Sequence, residues 1–360
     1  MPPRQMRETK TPVLPSSVYF IPIPPKIIAT CRSSRSHRSE GNGAGRRDLC
    51  NKVHNFVAIV QFIMDPLSDV FALLQVEALV SARFEAGGDW AVRFPAQPHI
   101  KFGAALRGRY WLILDADIPR LIEPGDTYLL TNCPSYVIAS DPALQPVDGS
   151  ALYAAAHGNR VRHGGEDTQV LGGSFVFDQR NAGLLMDVLP PLIRIPGNDP
   201  ASAVLRITLQ LLDDELQAQR MGTAVVTSRL GDVLLVQALR AHAASGAPTG
   251  WLGALGHPRI GAALRSMHGD VARNWKVEDL ASAAGMSRSD FARKFKERVG
   301  LPPLDYLIRW RMHLARHALR QEGASVAIIA RSLGYSSESA FGNAFKRMFG
   351  RSPKRYWTNE

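Results

Sequence analysis

The sequence predicts a two-domain α+β chain: a β-barrel or jelly roll with trailing helices, then an all-α domain of two helix-turn-helix units joined by a linker helix. Three observations predict it: strand-like alternation between positions 79 and 139, an internal repeat after position 277, and a charge balance that changes along the chain. The chain has 360 residues and a formal charge of +11. Residues 1–63 hold 10 Lys and Arg against 3 Asp and Glu, residues 64–258 hold 14 against 20, and residues 259–360 hold 19 against 9. A basic last third beside an acidic middle is what affinity for a polyanion confined to one domain would leave. A solvated basic surface gives the same totals, so the repeat has to carry the argument.

Residues 1–63 read as a disordered or non-native extension. Pro12, Pro15, Pro22, Pro24 and Pro25, followed by a Ser/Arg/Gly tract from Arg32 to Arg47, leave little apolar surface to offset the entropy of ordering. This stretch could form a basic arm that reaches DNA, but domain-like patterning begins at Asp65-Pro66-Leu67-Ser68, which makes Met64 the expected start of translation. The cluster Gly41 to Gly45 follows no strand and so does not read as a phosphate loop. The apolar run Phe56 to Met64 is too short to cross a bilayer, and nothing at the start resembles a secretory leader. Three cysteines, Cys31, Cys50 and Cys133, form no close pair. Together these features predict a soluble, cytoplasmic protein with no membrane partner.

Residues 64–245 read as the barrel and its helices. Ile100, Phe102, Ala104 and Leu106 alternate with Lys101, Gly103 and Ala105, the period of two that turns one strand face inward. Tyr110–Leu114, Thr127–Leu130 and Tyr136–Ala139 are further strands, separated by turns such as Pro124-Gly125-Asp126. A polar, glycine-rich stretch, Asp148 to Gly173, separates these strands from the helices. Helices are expected near Ala201–Gln217 and Ala224–His242, the second carrying Leu230, Val233, Leu234, Gln237, Ala238 and Ala241 on one face. That face suits a partner helix in a homodimer or the chain's own barrel. Residues 246–258 read as a linker.

Residues 259–360 contain a duplication. Val277, Leu280, Ala281, Gly285 and Ser287 recur as Val326, Ile329, Ala330, Gly334 and Ser336 at an offset of 49. After one inserted residue, Phe291, Phe295, Lys296, Gly300 and Pro303 recur as Phe341, Phe345, Lys346, Gly350 and Pro353 at an offset of 50. Each copy, about 277–298 and 326–349, has the parts of a helix-turn-helix: a short apolar helix, a turn glycine, a serine N-cap and a second helix anchored by aromatic residues four apart. Ser287 with Asp290 predicts a capping box in the first copy, and Ser336 or Ser337 the cap in the second. Leu304, Ile308, Met312, Ala315 and Leu319 mark the apolar face of a linker helix between them. Its 17 residues, Leu304 to Arg320, span roughly 25 Å, a scale that suits two recognition helices about one DNA turn apart. His313 and His317 lie on this helix at metal-compatible spacing without a third ligand nearby, and are expected to be solvated.

Leu280-Ala281, Gly285-Met286-Ser287-Arg288-Ser289, Phe291 to Lys296, Gly300 to Pro303, and their counterparts Ile329-Ala330, Gly334-Tyr335 and Phe349-Gly350-Arg351-Ser352-Pro353 resemble the AraC/XylS family of transcription regulators across the whole C-terminal domain. Trp111 to Leu114, Glu123-Pro124-Gly125-Asp126 and Ala139-Ser140-Asp141-Pro142 are similar, more weakly, to the cupin-like sensing domains found in one branch of that family. The resemblance implies double-stranded operator DNA as partner, a small-molecule effector in the barrel, a homodimer, and contact with RNA polymerase. It places Ser289, Ala292, Arg293, Glu338, Ser339 and Asn343 at base-facing positions, and Arg288, Lys294, Lys296, Lys346, Arg347 and Arg351 at phosphate contacts. Gly342 departs from the family, where a larger polar residue is common. His99 stands alone and Tyr136 occupies a position where metal cupins often carry histidine, so neither a metal, a cofactor nor enzymatic activity is expected. His163-Gly164-Gly165 lacks the Gly-x-Ser-x-Gly that would make it part of a hydrolase site.

Overall fold

The computed structural model describes residues 65–114, 118–156, 158–178, 180–245, 250–320 and 325–357. These residues belong to one compact unit, and the expectations for residues 1–63 lie outside them.

The chain enters through α1 (Pro66–Leu74), set by an Asp65 cap that accepts from the Leu67 and Ser68 amides and by Pro66 at the first helical position. Eleven strands follow among the described residues. A six-stranded sheet has the order β11-β6-β3-β10-β1-β9 and a five-stranded sheet the order β5-β4-β7-β2-β8. In the first, β1 (Glu77–Ala86), β3 (Ile100–Arg107), β6 (Thr127–Leu130), β10 (Thr168–Val176) and β11 (Leu192–Ile195) pair antiparallel, and β9 (Arg160–His163) joins β1 in parallel. In the second, β2 (Ala91–Phe94), β4 (Tyr110–Leu114), β5 (Arg120–Ile122) and β7 (Tyr136–Ala139) are antiparallel, with β8 (Val147–Asp148) parallel to β2.

Between the sheets lies an aromatic core of Phe84, Trp90, Tyr110, Leu112, Ile122 and Tyr128. The expected face Ile100, Phe102 and Ala104 is buried, but it points away from this interior, toward the helices. Its alternate, Ala105, belongs to the interior core, so β3 is covered on both sides. The polar, glycine-rich stretch contains β9 and most of the nine-residue β10, the latter paired with both β1 and β3. Gly172 and Gly173 dilute its apolar signal, and burial of both faces removes the alternation that would have revealed it.

The remaining helices are α2 (Gly149–Ala154), α3 (Gly183–Met186), α4 (Ala203–Ala218), α5 (Thr223–Ala244), α6 (Gly250–Leu255) and α7 (Pro258–Gly269). Leu234, Ala238 and Ala241 of α5 are buried in the chain's own core, and α5 packs on α4 and β1; Val233 alone of the proposed partner face is clearly exposed. Part of the expected linker folds as α6, because Trp251, Leu252 and Ala254 are apolar and buried, and the Trp251 indole donates to the Leu184 carbonyl at 2.8 Å. One apolar cluster therefore runs from Leu67 through the outer face of the barrel to Phe291 and Phe345.

Candidate nucleic-acid interface

The repeat folds as two helix-turn-helix units. The first consists of α8 (Val277–Ala283) and α9 (Arg288–Val299); the second of α11 (Val326–Ser332) and α12 (Glu338–Phe349). Between them runs the linker helix α10 (Pro303–Ala318), and α13 (Pro353–Trp357) closes the chain. The Ser287 hydroxyl accepts from the Asp290 amide, and in the second copy it is Ser337 rather than Ser336 that caps, accepting from the Ala340 amide at 3.2 Å. Asp290 does not complete a reciprocal box: its carboxylate turns to Arg293 and Lys294. Gly285 and Gly334 take φ of +61° and +80° at the two turns, a region glycine enters without strain.

Phe291, Phe295, Phe341 and Phe345 are fully buried, which orients the opposite faces of α9 and α12 outward. On α9, Arg288, Ser289, Arg293 and Lys296 are exposed, and Ala292 and Lys294 half-buried. On α12, Glu338, Ser339, Asn343, Lys346 and Arg347 are exposed, as is Arg351 beyond the helix end. Most α9 cations are paired in the free chain. Arg293 donates to Asp290 at 2.7 Å and Glu297 at 2.8 Å, Lys294 meets Asp290 at 3.0 Å, and Arg288 meets Glu278 at 2.8 Å. Donation to Glu297 and Asp290 raises the Arg293 pKa, and hydrogen bonds accepted from Lys294 and Arg293 lower that of Asp290. The acidic partners were not anticipated, although Asp290, Arg293 and Glu297 stand at the i,i+3 and i,i+4 spacings that bring helical side chains together.

A Cβ on Gly342 would meet nothing within 4 Å, so this mid-helix glycine leaves open space on α12. Gly342→Ala should raise stability by about 1 kcal/mol, the usual difference between the two in a helix, read as a higher urea midpoint at constant m-value. An unchanged or lower midpoint would show that the position needs its glycine.

The linker helix is held from both sides. Its buried face includes Tyr306, Leu307 and Trp310; of the expected stripe, Met312, Ala315 and Leu319 are buried, whereas Leu304 is exposed and Ile308 half-buried. Arg311 donates through Nε to the Val271 carbonyl at 2.8 Å and through Nη2 to that of Arg273 at 2.7 Å, tying α10 to the loop after α7. Toward the barrel domain, Arg309 meets Asp187, Arg316 meets the Asn181 side chain, and Arg320, just past α10, meets Asp178, at 2.6–2.7 Å. His313 is buried, not solvated: its Nδ1 accepts from Arg316 Nη2 at 3.0 Å and its ring sits edge-on to Phe349. Nearby, His268 of α7 is stacked on Trp310 and hydrogen-bonded to Asp69 of α1 at 2.7 Å and to Tyr306 at 2.8 Å. No sequence signal marks these cross-domain contacts, because their partners are distant in the chain.

Among the described residues no group of three His, Cys, Asp or Glu is placed to hold a metal ion, and no helix is long and apolar enough to cross a membrane.

Two sheets enclosing a core, followed by tandem helix-turn-helix units with polar recognition faces, define a DNA-binding protein with an attached barrel domain. Comparison agrees: residues 65–244 match the family described as Cupin and residues 280–359 the family described as a helix-turn-helix domain. A "Putative AraC-like transcription regulator" of Streptomyces lividans is 43% identical over 297 residues, 81% of this chain and 98% of that one. The "HTH-type transcriptional regulator AlkR" of Acinetobacter baylyi is 30% identical over 302 residues, 81% of this chain and 99% of that one. Among solved structures, the DNA-binding domain of AdpA in complex with a target DNA is 31% identical, covers 28% of this chain and 91% of that one, and has a TM-score of 0.27. The chain belongs to the AraC-like transcription regulators.

Proposed function

We propose that this regulator reads its operator through α9 and α12, binds a small effector in the barrel, and acts as a homodimer. The observation that carries the reading is the pair of recognition helices whose aromatic faces are sealed while their polar faces stand in solvent. In this reading Ser289, Ala292, Arg293, Glu338, Ser339 and Asn343 face bases, and Arg288, Lys294, Lys296, Lys346, Arg347 and Arg351 hold phosphates. For the dimer, the exposed stripe Val204, Ile207 and Leu211 on α4, with Val225 and Val226 on α5, replaces the face that packs on the barrel. The barrel influences DNA binding through the three contacts that Asp178, Asn181 and Asp187 make with arginines on and just beyond the linker helix.

The two recognition helices contribute unequally. Arg293 can hold guanine O6 and N7 through two hydrogen bonds, and its exposed ion pairs with Asp290 and Glu297 are weak in water and yield to the base. Arg293→Ala should lower operator affinity roughly 10- to 100-fold and relax preference at one base position. Lys346→Ala should weaken binding evenly across sequences and reduce the salt slope by roughly one contact. Binding selections on randomised duplexes test this, and an Arg293→Ala protein with lowered affinity but unchanged base preference would sink the assignment.

A further inference from the structure

The barrel carries a half-open cavity of about 210 Å³ where the sequence supplies glycine in place of side chains. Strands β3 and β10 turn Ala105 and Val170 into the interior core, and by strand alternation Lys101, Gly103 and Gly172 share that face. The two glycines serve different ends. A Cβ on Gly103 would overlap the Tyr128 ring, so that glycine seats the tyrosine. A Cβ on Gly172 would meet only the Phe102 carbonyl oxygen, at 3.6 Å, so that glycine leaves room. From the five-stranded sheet, Phe94 and Tyr136 line the cavity as a stacked pair, centroids 4.9 Å apart and planes 19° from parallel. Tyr153 stands edge-on to Phe94 at 5.6 Å. The space is thus a slot bounded by bare backbone and aromatic rings, with Gln97, Ile138 and Ser150 completing its lining, a shape that suits a flat ligand.

Its charge is equally specific. Among the described residues Lys101 is the one charged residue lining the slot; it is half-buried, and its ammonium group makes no hydrogen bond or ion pair with them. Burial lowers its pKa, the response of an ammonium group short of solvation. Among the described residues the groups beside it supply no negative charge: burial pushes the Cys133 thiol up to about 11 and drives the Tyr128, Tyr136 and Tyr153 phenols upward as well. A partly desolvated cation among neutral hydroxyls gains from a ligand carboxylate, through a charge-assisted hydrogen bond. Size limits the remainder. A closed apolar cavity of roughly 150 Å³ holds benzene, so this one has room for a single ring with a carboxyl group.

We propose that the barrel cavity binds a monocyclic aromatic carboxylate, with the acid group on Lys101 and the ring in the slot between Gly172 and the Phe94–Tyr136 pair. This rests on the reading of the barrel as the effector site and names the chemical class that the site takes.

The test is calorimetric titration of the full chain with benzoate and with benzamide, its neutral isostere. Wild-type protein is expected to bind benzoate at least tenfold more tightly than benzamide. Lys101→Met should abolish that preference and Lys101→Arg retain it, while Gly172→Val should lose both ligands at an unchanged melting temperature. Absence of benzoate binding at millimolar concentration, equal affinity for the two ligands, or benzoate binding that survives Gly172→Val would each overturn the proposal. If Lys101→Met fails to fold, the benzoate–benzamide ratio in wild-type protein decides. The effector reading has a separate readout. Benzoate bound through Lys101 without any change in operator affinity would leave the site chemistry standing and refute that reading. Binding of benzamide as tight as benzoate would do the reverse.

Discussion

Between pH 7 and pH 4.5 the protein should lose roughly 2–3 kcal/mol of stability to His313 alone. Burial, reinforced by the Arg316 and Arg309 guanidinium groups, lowers the His313 pKa from its ordinary 6.5 to about 3. The imidazole is therefore neutral in the folded chain, as acceptance from Arg316 Nη2 at 3.0 Å requires. In the unfolded chain it takes a proton near its ordinary pKa. The unfolded state then binds more protons than the native state throughout the interval from about 6.5 down to about 3. Stability is fully present above that interval and falls through it on acidification, by at most about 1.4 kcal/mol per pH unit. His268, also lowered chiefly by burial, adds a contribution of the same sign, while Asp69, raised by burial, opposes it in the acid range. His313→Asn isolates the effect, since an amide oxygen accepts from Arg316 without titrating. Urea unfolding at half-unit pH steps should give a flatter profile for His313→Asn than for wild type. Identical slopes would show that the acid sensitivity lies elsewhere.

Gly334→Ala should be more damaging than Gly285→Ala, although the two glycines occupy the same place in the repeat. Both have positive φ, which costs a residue with a Cβ about 1–2 kcal/mol. At Gly285 nothing lies within 4 Å of the added atom, so the cost ends there. At Gly334 the atom would overlap the Ala272 carbonyl oxygen and lie 2.9 Å from Arg311 Nη2. Backbone cannot step aside as a side chain tip can, and the same guanidinium is needed at the Val271 and Arg273 carbonyls. Overpacking of this kind costs roughly a further 1–3 kcal/mol. Loss of the second unit's contribution to operator binding, with hydrogen exchange accelerated in α11 and α12, is the expected result for Gly334→Ala. Equal destabilisation by the two variants would refute the close-approach argument.

The DNA-binding half was legible in the sequence because its geometry is enforced by residue types with narrow tolerances. A left-handed turn requires glycine, an N-cap prefers serine, and a small three-helix core needs large side chains four apart. All three recur in register at Gly285 and Gly334, Ser287 and Ser337, and Phe291 and Phe341. The barrel was legible only where strands keep an aromatic or β-branched run. Strand β10 escaped because Gly172, one of the residues that opens its cavity, also lowers its hydrophobicity. Histidine pattern was a poor guide at position 313, where burial is decided by Arg316 and Phe349 and not by spacing to His317. The exposed positions of the candidate DNA-contacting residues followed from helical periodicity, whereas the ion pairs that occupy Arg293, Lys294 and Arg288 in the free chain needed coordinates.

Helix α1 has a consequence for biosynthesis. It precedes the barrel in the chain, yet it packs on α7 and α10, and Asp69 is keyed to His268, 199 residues later. At a translation rate of 5–20 residues per second, roughly 10–40 s pass before its partner leaves the ribosome. Throughout that interval part of the apolar side of α1, which includes Leu67 and Val70, waits without its final neighbours. Packing of α1 on α7 and α10 thus has to wait for synthesis of the whole barrel domain that lies between them in the chain.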